Sequence, residues 1–284
     1  MADSDTRHIR LADGRNMSYS DTGSGENGIW LHCHGIPGSR NELAHLTDRV
    51  SGKGYRVIIP DRPGYGSSSP HPDYQFTDHS DDLKQLSDHL NLRHFALTGF
   101  SGGGVFALTA AHDLATRVSE LAIAATPAVP LMQNPFAHAS EMTASIWHAA
   151  LKNPTELAQE MEVLTGDPGS LAEALISAAG AVEGRFLLSK GIRDYFTANL
   201  TMAVAQGTKI AAQALVRDTC LMVSDWKIKP GDLNLSVIII HGEEDRLVYQ
   251  EHQSVLLAWL PTARGLVLAK CGHFEVLSGL IRDS

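Results

Sequence analysis

An α/β fold with a mostly parallel central sheet flanked by helices is predicted by three features of the sequence. The first is a set of short apolar runs, some of them continuous rather than alternating, such as Val57-Ile58-Ile59 and Val237-Ile238-Ile239-Ile240. Continuous runs mark strands buried on both faces, as in a parallel sheet between helical layers. The second is a helix-length segment between most successive runs, which makes βαβ units with right-handed crossovers. The third is the spacing of strand centres, roughly 25–40 residues, as one such unit requires.

Taken in order, Arg7–Tyr19 reads as a hairpin around Asp13-Gly14, with Ile9/Leu11 and Met17/Tyr19 alternating. Strands are expected at Gly28–Cys33, Arg56–Pro60, His94–Thr98, Glu120–Ala125, Ser236–His241 and Gly265–Ala269, apolar runs bounded by turn residues, several of them continuous and so read as buried. Helices are expected at Arg40–Lys53, Thr77–Leu90, Gly103–Thr116 and Tyr249–Leu260. Between Ala125 and Ser236 the rhythm breaks. Apolar residues recur there at helical spacing (Met142/Ile146/Ala149, Leu157/Met161/Leu164, Leu171/Leu175/Ala178), punctuated by Asn153-Pro154, Gly166-Asp167-Pro168 and Gly180. That pattern predicts a helical insertion of four or five helices, placed as a lid over the strand ends. The expected organisation is a core of residues 1–126 and 232–284 with a helical cap of residues 127–231.

Composition narrows the function. The chain has 284 residues, 43% hydrophobic and 19% charged, which is ordinary for a soluble globular protein. Its net charge of −9, with no Lys/Arg cluster, argues against nucleic acid or an anionic membrane as partner. The polar N-terminus has no apolar h-region, and no run is long enough to span a membrane. Cys33, Cys220 and Cys271 form neither a disulfide framework nor a metal pattern, so a reduced cytoplasmic setting is expected. His32 and His34 would share a face of their strand, but two ligands with no third nearby point to a structural role and not to a metal site.

The chemistry gathers at strand ends. The expected strand His94–Thr98 runs into Gly99-Phe100-Ser101-Gly102-Gly103 and an apolar helix. A dinucleotide fingerprint would need glycine where Ser101 stands, and no Lys-Ser/Thr follows for a Walker loop. G-x-S-x-G between strand and helix is instead the pattern of a nucleophile elbow. Glycine at 99 and 103 removes side chains that would collide with neighbouring backbone, and the helix start turns its dipole toward charge forming at Ser101. A serine nucleophile needs a base and the base an orienting acid. The strand ending at His241 is followed by the acids Glu243, Glu244 and Asp245; the last strand is followed by Gly272-His273. An acid and then a histidine, each after the C-terminal end of its own strand, fit the places where open α/β sheets build sites.

With these motifs the chain resembles the α/β-hydrolase superfamily, in its esterase-like branch with a helical cap. The resemblance rests on His34-Gly35-Ile36-Pro37-Gly38-Ser39, Asp61-Arg62-Pro63-Gly64-Tyr65-Gly66-Ser67, Gly99–Gly103, and the pair HGEEDRLV (241–248) and GHFE (272–275). It implies an α/β-hydrolase fold and a triad of Ser101, Asp245 and His273, since the family pattern H-G-x-x-D-x-x-V selects Asp245 over its two neighbours. It implies an oxyanion hole from the backbone N–H groups of Ile36 and Gly102, with His34 and Gly35 shaping that loop. Asp61-Arg62 is expected to anchor its own loop. Neither metal nor organic cofactor is implied. Ile36 departs from the HGGPG form of proline iminopeptidases, and serine at 101 argues against epoxide hydrolases and haloalkane dehalogenases, which carry aspartate there.

The function so implied is a serine hydrolase acting on carboxylic esters of small to medium apolar molecules. The same triad serves lactone, thioester and carbon–carbon bond hydrolysis and cofactor-free perhydrolysis, and the fold also serves ligand-binding receptors. Phe100, Trp147 and Phe196 are expected in the substrate pocket, drawn from an apolar set that also includes Phe136, Met142, Phe186, Tyr195 and Met202.

Overall fold

The computed structural model describes residues 6–189 and 191–281. The outermost parts of the expected core, residues 1–5 and 282–284, and position 190 of the expected cap lie outside the described residues. Eight strands form one sheet: β1 (Arg7–Arg10), β2 (Asn16–Gly23), β3 (Gly28–Cys33), β4 (Tyr55–Pro60), β5 (Phe95–Phe100), β6 (Val118–Ala124), β7 (Ser236–Gly242) and β8 (Arg264–Leu268). Their order is β1-β2-β4-β3-β5-β6-β7-β8. The β1/β2 hairpin is antiparallel with Ile9 opposite Met17, and β2 runs antiparallel to β4. From β4 onward the pairs are parallel.

The continuous apolar runs are explained by what covers each face. Leu97, Leu121, Ile123, Val237 and Ile239 point into one core, with Leu83 and Leu86 of α2 (Phe76–His89), Val105 and Phe106 of α3 (Gly102–Asp113) and Leu256 of α9 (Glu251–Trp259). Phe100, Ala122, Ala124 and Ile240 point the other way, toward Val50 of α1 (Thr47–Gly52) and the 3₁₀ segment Glu275–Leu280. Alternate residues of one strand thus enter two cores, and no position along the run is left for a polar side chain.

Two elements differ from expectation. The helix expected at Arg40–Lys53 is only a 3₁₀ turn (Ala44–Leu46) followed by α1. The chain before it is committed elsewhere: the Arg40 N–H donates to Asp61, Ser39 bonds Asn199, and Glu42 holds His32. The last strand is not a buried run either. Among the described residues β8 lies at the sheet edge, paired with β7 alone, and Leu266 and Val267 are exposed.

Between β6 and β7 come five helices among the described residues: α4 (Glu141–Lys152), α5 (Pro154–Leu164), α6 (Pro168–Leu187), α7 (Ile192–Ala203) and α8 (Thr208–Val223). The sequence punctuation has a structural counterpart at each point. Asn153 ends α4 and caps α5, its side chain accepting from the Glu156 N–H, and Asp167 caps α6 by accepting from Gly169 and Ser170. Gly180 breaks α6 into two helical halves across a kink, its φ 83° and ψ −176° being non-helical.

Candidate active site

Ser101 sits between β5 and α3 with φ 50° and ψ −128°, a left-handed backbone that is costly for a side-chain-bearing residue. The surroundings hold it there: its N–H donates to the Ala124 carbonyl at 2.8 Å, and the Gly104 N–H returns to its own carbonyl at 2.9 Å. Glycines make the turn possible. A Cβ on Gly103 would lie 2.2 Å from the carbonyl oxygens of both Cys33 and His34, and one on Gly99 would lie 2.7 Å from the Gly103 oxygen. Gly104, beyond the motif, has its own reason, since a Cβ there would lie 2.0 Å from Thr126 Oγ1.

The loops after β7 and β8 bring Asp245 and His273 together. His273 Nδ1 donates to Asp245 Oδ2 at 2.8 Å, and both residues are buried. The other oxygen, Oδ1, accepts the Leu247 and Val248 N–H groups at 2.9 Å each, which fixes the carboxylate plane. Glu243 and Glu244 turn elsewhere, one to the Lys270 N–H and the other to Arg246. Burial weighs most against charge on both groups, but it is outweighed by their neighbours together: His273 and His241 for Asp245, and Asp245 with Glu183 and Glu42 for His273. The Asp245 carboxyl is held well below its usual range, and the His273 imidazole is raised above its own. His241 is occupied by the Val248 carbonyl at 2.8 Å. Ser101 and His273 line one cavity, and among the described residues Ser101 Oγ makes no hydrogen bond, so it is free to meet a ligand.

On the other side of Ser101 lies the loop after β3. Neither the Ile36 nor the Gly102 N–H is hydrogen-bonded among the described residues, and both residues line the same cavity as Ser101. Two unpaired donors, one of them at a helix N-terminus, suit a developing oxyanion. The loop is braced throughout. His34 Nδ1 donates to the Gly35 carbonyl, and its Nε2 accepts the Arg62 N–H at 3.1 Å. Burial, with the Arg62 cation next to it, pushes the His34 pKa far down, so the ring stays neutral. Glu42 accepts the Gly35 N–H at 2.8 Å while bonding His32. Arg62 does not anchor its own loop as expected; it donates to the His34 and Gly35 carbonyls at 2.5 and 2.8 Å, and to Asp218 of α8 at 2.7 Å. His32, Cys33 and His34 each have separate partners: Thr98 and Glu42, His79, and Arg62 with Gly35.

A family model described as "alpha/beta hydrolase fold" matches residues 31–280. The chain belongs to the α/β-hydrolase fold family. Among curated proteins it is 25% identical over 266 residues to a 2-hydroxy-6-oxononadienedioate/2-hydroxy-6-oxononatrienedioate hydrolase of Comamonas testosteroni, covering 91% of this chain and 85% of that one. A local match, 36% identical over 95 residues, joins it to the magnesium-chelatase 30 kDa subunit of Rhodobacter capsulatus and spans only a third of each chain. Among solved structures, a hydrolase from Pseudomonas aeruginosa PA01 superposes with a TM-score of 0.72 at 18% identity, over 98% of this chain and 94% of that one. At that identity the likeness is one of fold.

In this α/β-hydrolase fold the cavity at Ser101 contains about 850 Å³ of empty space, part of it open to solvent. Phe100 and Trp147 line it as expected, as does Met142, but Phe196 does not. Phe196 stacks edge-on against Phe274 with ring centroids 4.7 Å apart, and it lines a second cavity with Phe186 and Tyr195. Phe100, Phe274 and Pro37 line both cavities. Phe136 and Met202 are not among the lining residues of either.

Sequence reasoning does not reach four polar residues at the site: Glu42, Glu183, Asn199 and Asp218. The signal available is a charge or amide on an otherwise apolar helical face. Asp218 follows Ala214 and Leu215, and Asn199 lies between Phe196 and Leu200. Among the described residues no helix is long and apolar enough to cross a membrane.

Proposed function

We propose that the protein is a serine hydrolase that cleaves carboxylic esters of small to medium apolar molecules through an acyl-enzyme. The observation that carries this reading is the Asp245–His273 hydrogen bond opening onto the same cavity as Ser101 and the unpaired Ile36 and Gly102 amides. In this mechanism Ser101 Oγ attacks the carbonyl carbon while its proton passes to His273 Nε2. Asp245 holds the ring in the Nδ1–H tautomer and stabilises the imidazolium. The negative oxygen of the tetrahedral intermediate is met by the two amides, and His273 protonates the leaving alkoxide. Water then attacks the acyl carbon while giving a proton to His273, and His273 returns that proton to Ser101 Oγ as the acyl–oxygen bond breaks and the acid leaves.

The lining supports an uncharged substrate. Among the described residues His273 is the one titratable group lining the Ser101 cavity, so a substrate carboxylate there would find no other charged partner among them. The Comamonas relative favours carbon–carbon bond hydrolysis on the same triad as a second reading, but the dienedioate in its name calls for charged partners that this lining does not offer. Turnover of p-nitrophenyl esters from acetate to decanoate tests the first reading. Labelling by a fluorophosphonate without turnover of any ester would transfer the assignment to the second.

Two expectations arise here. The base must be unprotonated, and His273 is raised above the ordinary imidazole value of about 6.5. The acidic limb of kcat/KM should therefore fall above pH 6.5, activity rising as pH rises through it; a limb below pH 6 would contradict the charge arrangement. Phe274 is shared by the two cavities, so F274A should open one toward the other and shift preference toward longer acyl chains. A chain-length profile identical to wild type would remove Phe274 as the boundary.

A further inference from the structure

Glu183 has no part in the mechanism above, yet it lies against it. It sits one turn beyond the Gly180 kink of α6, is fully buried, and reaches the loop that carries His273. Its Oε1 accepts the Glu275 N–H at 3.1 Å. Its Oε2 has no hydrogen-bond partner among the described residues and faces Gly272: a Cβ on Gly272 would lie 1.8 Å from it. The glycine before the histidine is thus required by this carboxyl. With Gly180 in a left-handed conformation, the second half of α6 departs from the axis of the first, and Arg246 packs its stem on the bend.

A buried carboxyl with one bare oxygen is costly unless it serves an arrangement worth keeping. We propose, on the footing of the hydrolase reading above, that Glu183 is a positioning residue that clamps residues 272–275 from the helical segment and so sets the placement and charge of His273. Its surroundings contain His273, Glu275 and Cys271 on the clamped loop, and Asp245 and Arg246 on the loop after β7. Arg246 turns its guanidinium to Glu244 at the surface, and Glu183 forms no ion pair among the described residues. Burial pushes the Glu183 carboxyl up to about 7, against the pull of His273 and of the Phe274 and Glu275 amides. A carboxyl poised there is ionised in part at neutral pH, and its negative form favours the imidazolium.

Three variants of the full chain test this. E183Q keeps a carbonyl acceptor for the Glu275 N–H but loses the charge. Its kcat should stay within about threefold of wild type while the His273 imidazole, followed by NMR titration, moves to a lower pKa. E183L fills the space without an acceptor and should lose roughly 10- to 100-fold in kcat with little change in KM, as for a displaced catalytic group. G272A should lower Tm, and G272A/E183A should recover part of that loss because the clash is relieved. An E183L enzyme with wild-type kcat and an unmoved His273 titration would overturn the proposal, as would a double variant no more stable than G272A. The His273 titration does not depend on turnover. If wild type hydrolyses no ester, a shifted titration in E183Q still supports the action of Glu183 on the charge of His273, the stability of G272A/E183A still reports the contact with the loop, and only the substrate reading fails.

Discussion

S101A should lose at least about 10⁴-fold in kcat and all labelling by a fluorophosphonate, with Tm nearly unchanged. The reasoning separates chemistry from folding. Alanine keeps the Cβ that the turn already accommodates at φ 50°, and the hydrogen bonds holding the turn use the backbone of residue 101. Only Oγ disappears, and Oγ is not hydrogen-bonded among the described residues, so the fold gives up nothing that it was using. Residual turnover would come from the Ile36 and Gly102 amides acting on attack by water, which is why a finite remainder is expected. The measurement is steady-state hydrolysis of a p-nitrophenyl ester beside thermal unfolding of the same preparation. A variant within 100-fold of wild type would rule out Ser101 as nucleophile, and a folded wild type that takes no label would do the same.

What is legible in the sequence is what neighbouring residues encode together. The strand cores are legible because two-sided burial writes a continuous apolar run, as in Val237–Ile240. The serine turn is legible because backbone contacts as close as those at Gly99 and Gly103 admit only glycine. β8 departs from expectation on the same logic, since its apolar run resembles a buried strand but lies at an edge. The helix expected from Arg40 does not form because its first turn is consumed by distant partners, Asp61 and Asn199 among them. Distance in sequence also hides the supports of the site. Glu183 meets Glu275 across 92 positions, and Arg62 meets Asp218 across 156. No local pattern reports a contact of that separation. An isolated acid on an apolar helix face is the only trace of either.

Those long-range contacts tie the helices between β6 and β7 to the loops around the proposed site as well as lining its cavity. Asn199 of α7 receives the Ser39 N–H and hydroxyl at 3.0 and 2.7 Å, just past the Ile36 loop. Asp218 of α8 reaches the same loop through Arg62, and Glu183 of α6 holds the histidine loop. Both sides of the proposed reacting centre are tied to these helices, so in the hydrolase reading movement of that segment would be felt at the Ile36 loop and at His273 together.

D218A is the substitution expected to cost the most stability, about 3–5 kcal/mol, or a Tm lower by roughly 10 °C. Asp218 and Arg62 are buried with side-chain exposures of 0% and 1%, and Asp218 also accepts from Arg217. Removing the carboxylate leaves the Arg62 guanidinium charged, because arginine does not give up its proton, and leaves it without an anion in a dry site. The remaining bonds to the His34 and Gly35 carbonyls cannot neutralise it. D218N, which keeps an acceptor for Nε, should lose less. R62M/D218L removes both charges and replaces them with apolar bulk, so it should be more stable than D218A alone. Its activity should nonetheless stay low, since the double variant also lacks the two Arg62 bonds that brace the Ile36 loop. Urea unfolding of the three variants, with kcat measured on each, separates the two effects. D218A within about 0.5 kcal/mol of wild type would mean that water reaches the pair. R62M/D218L with full activity would mean that the loop holds its shape without Arg62.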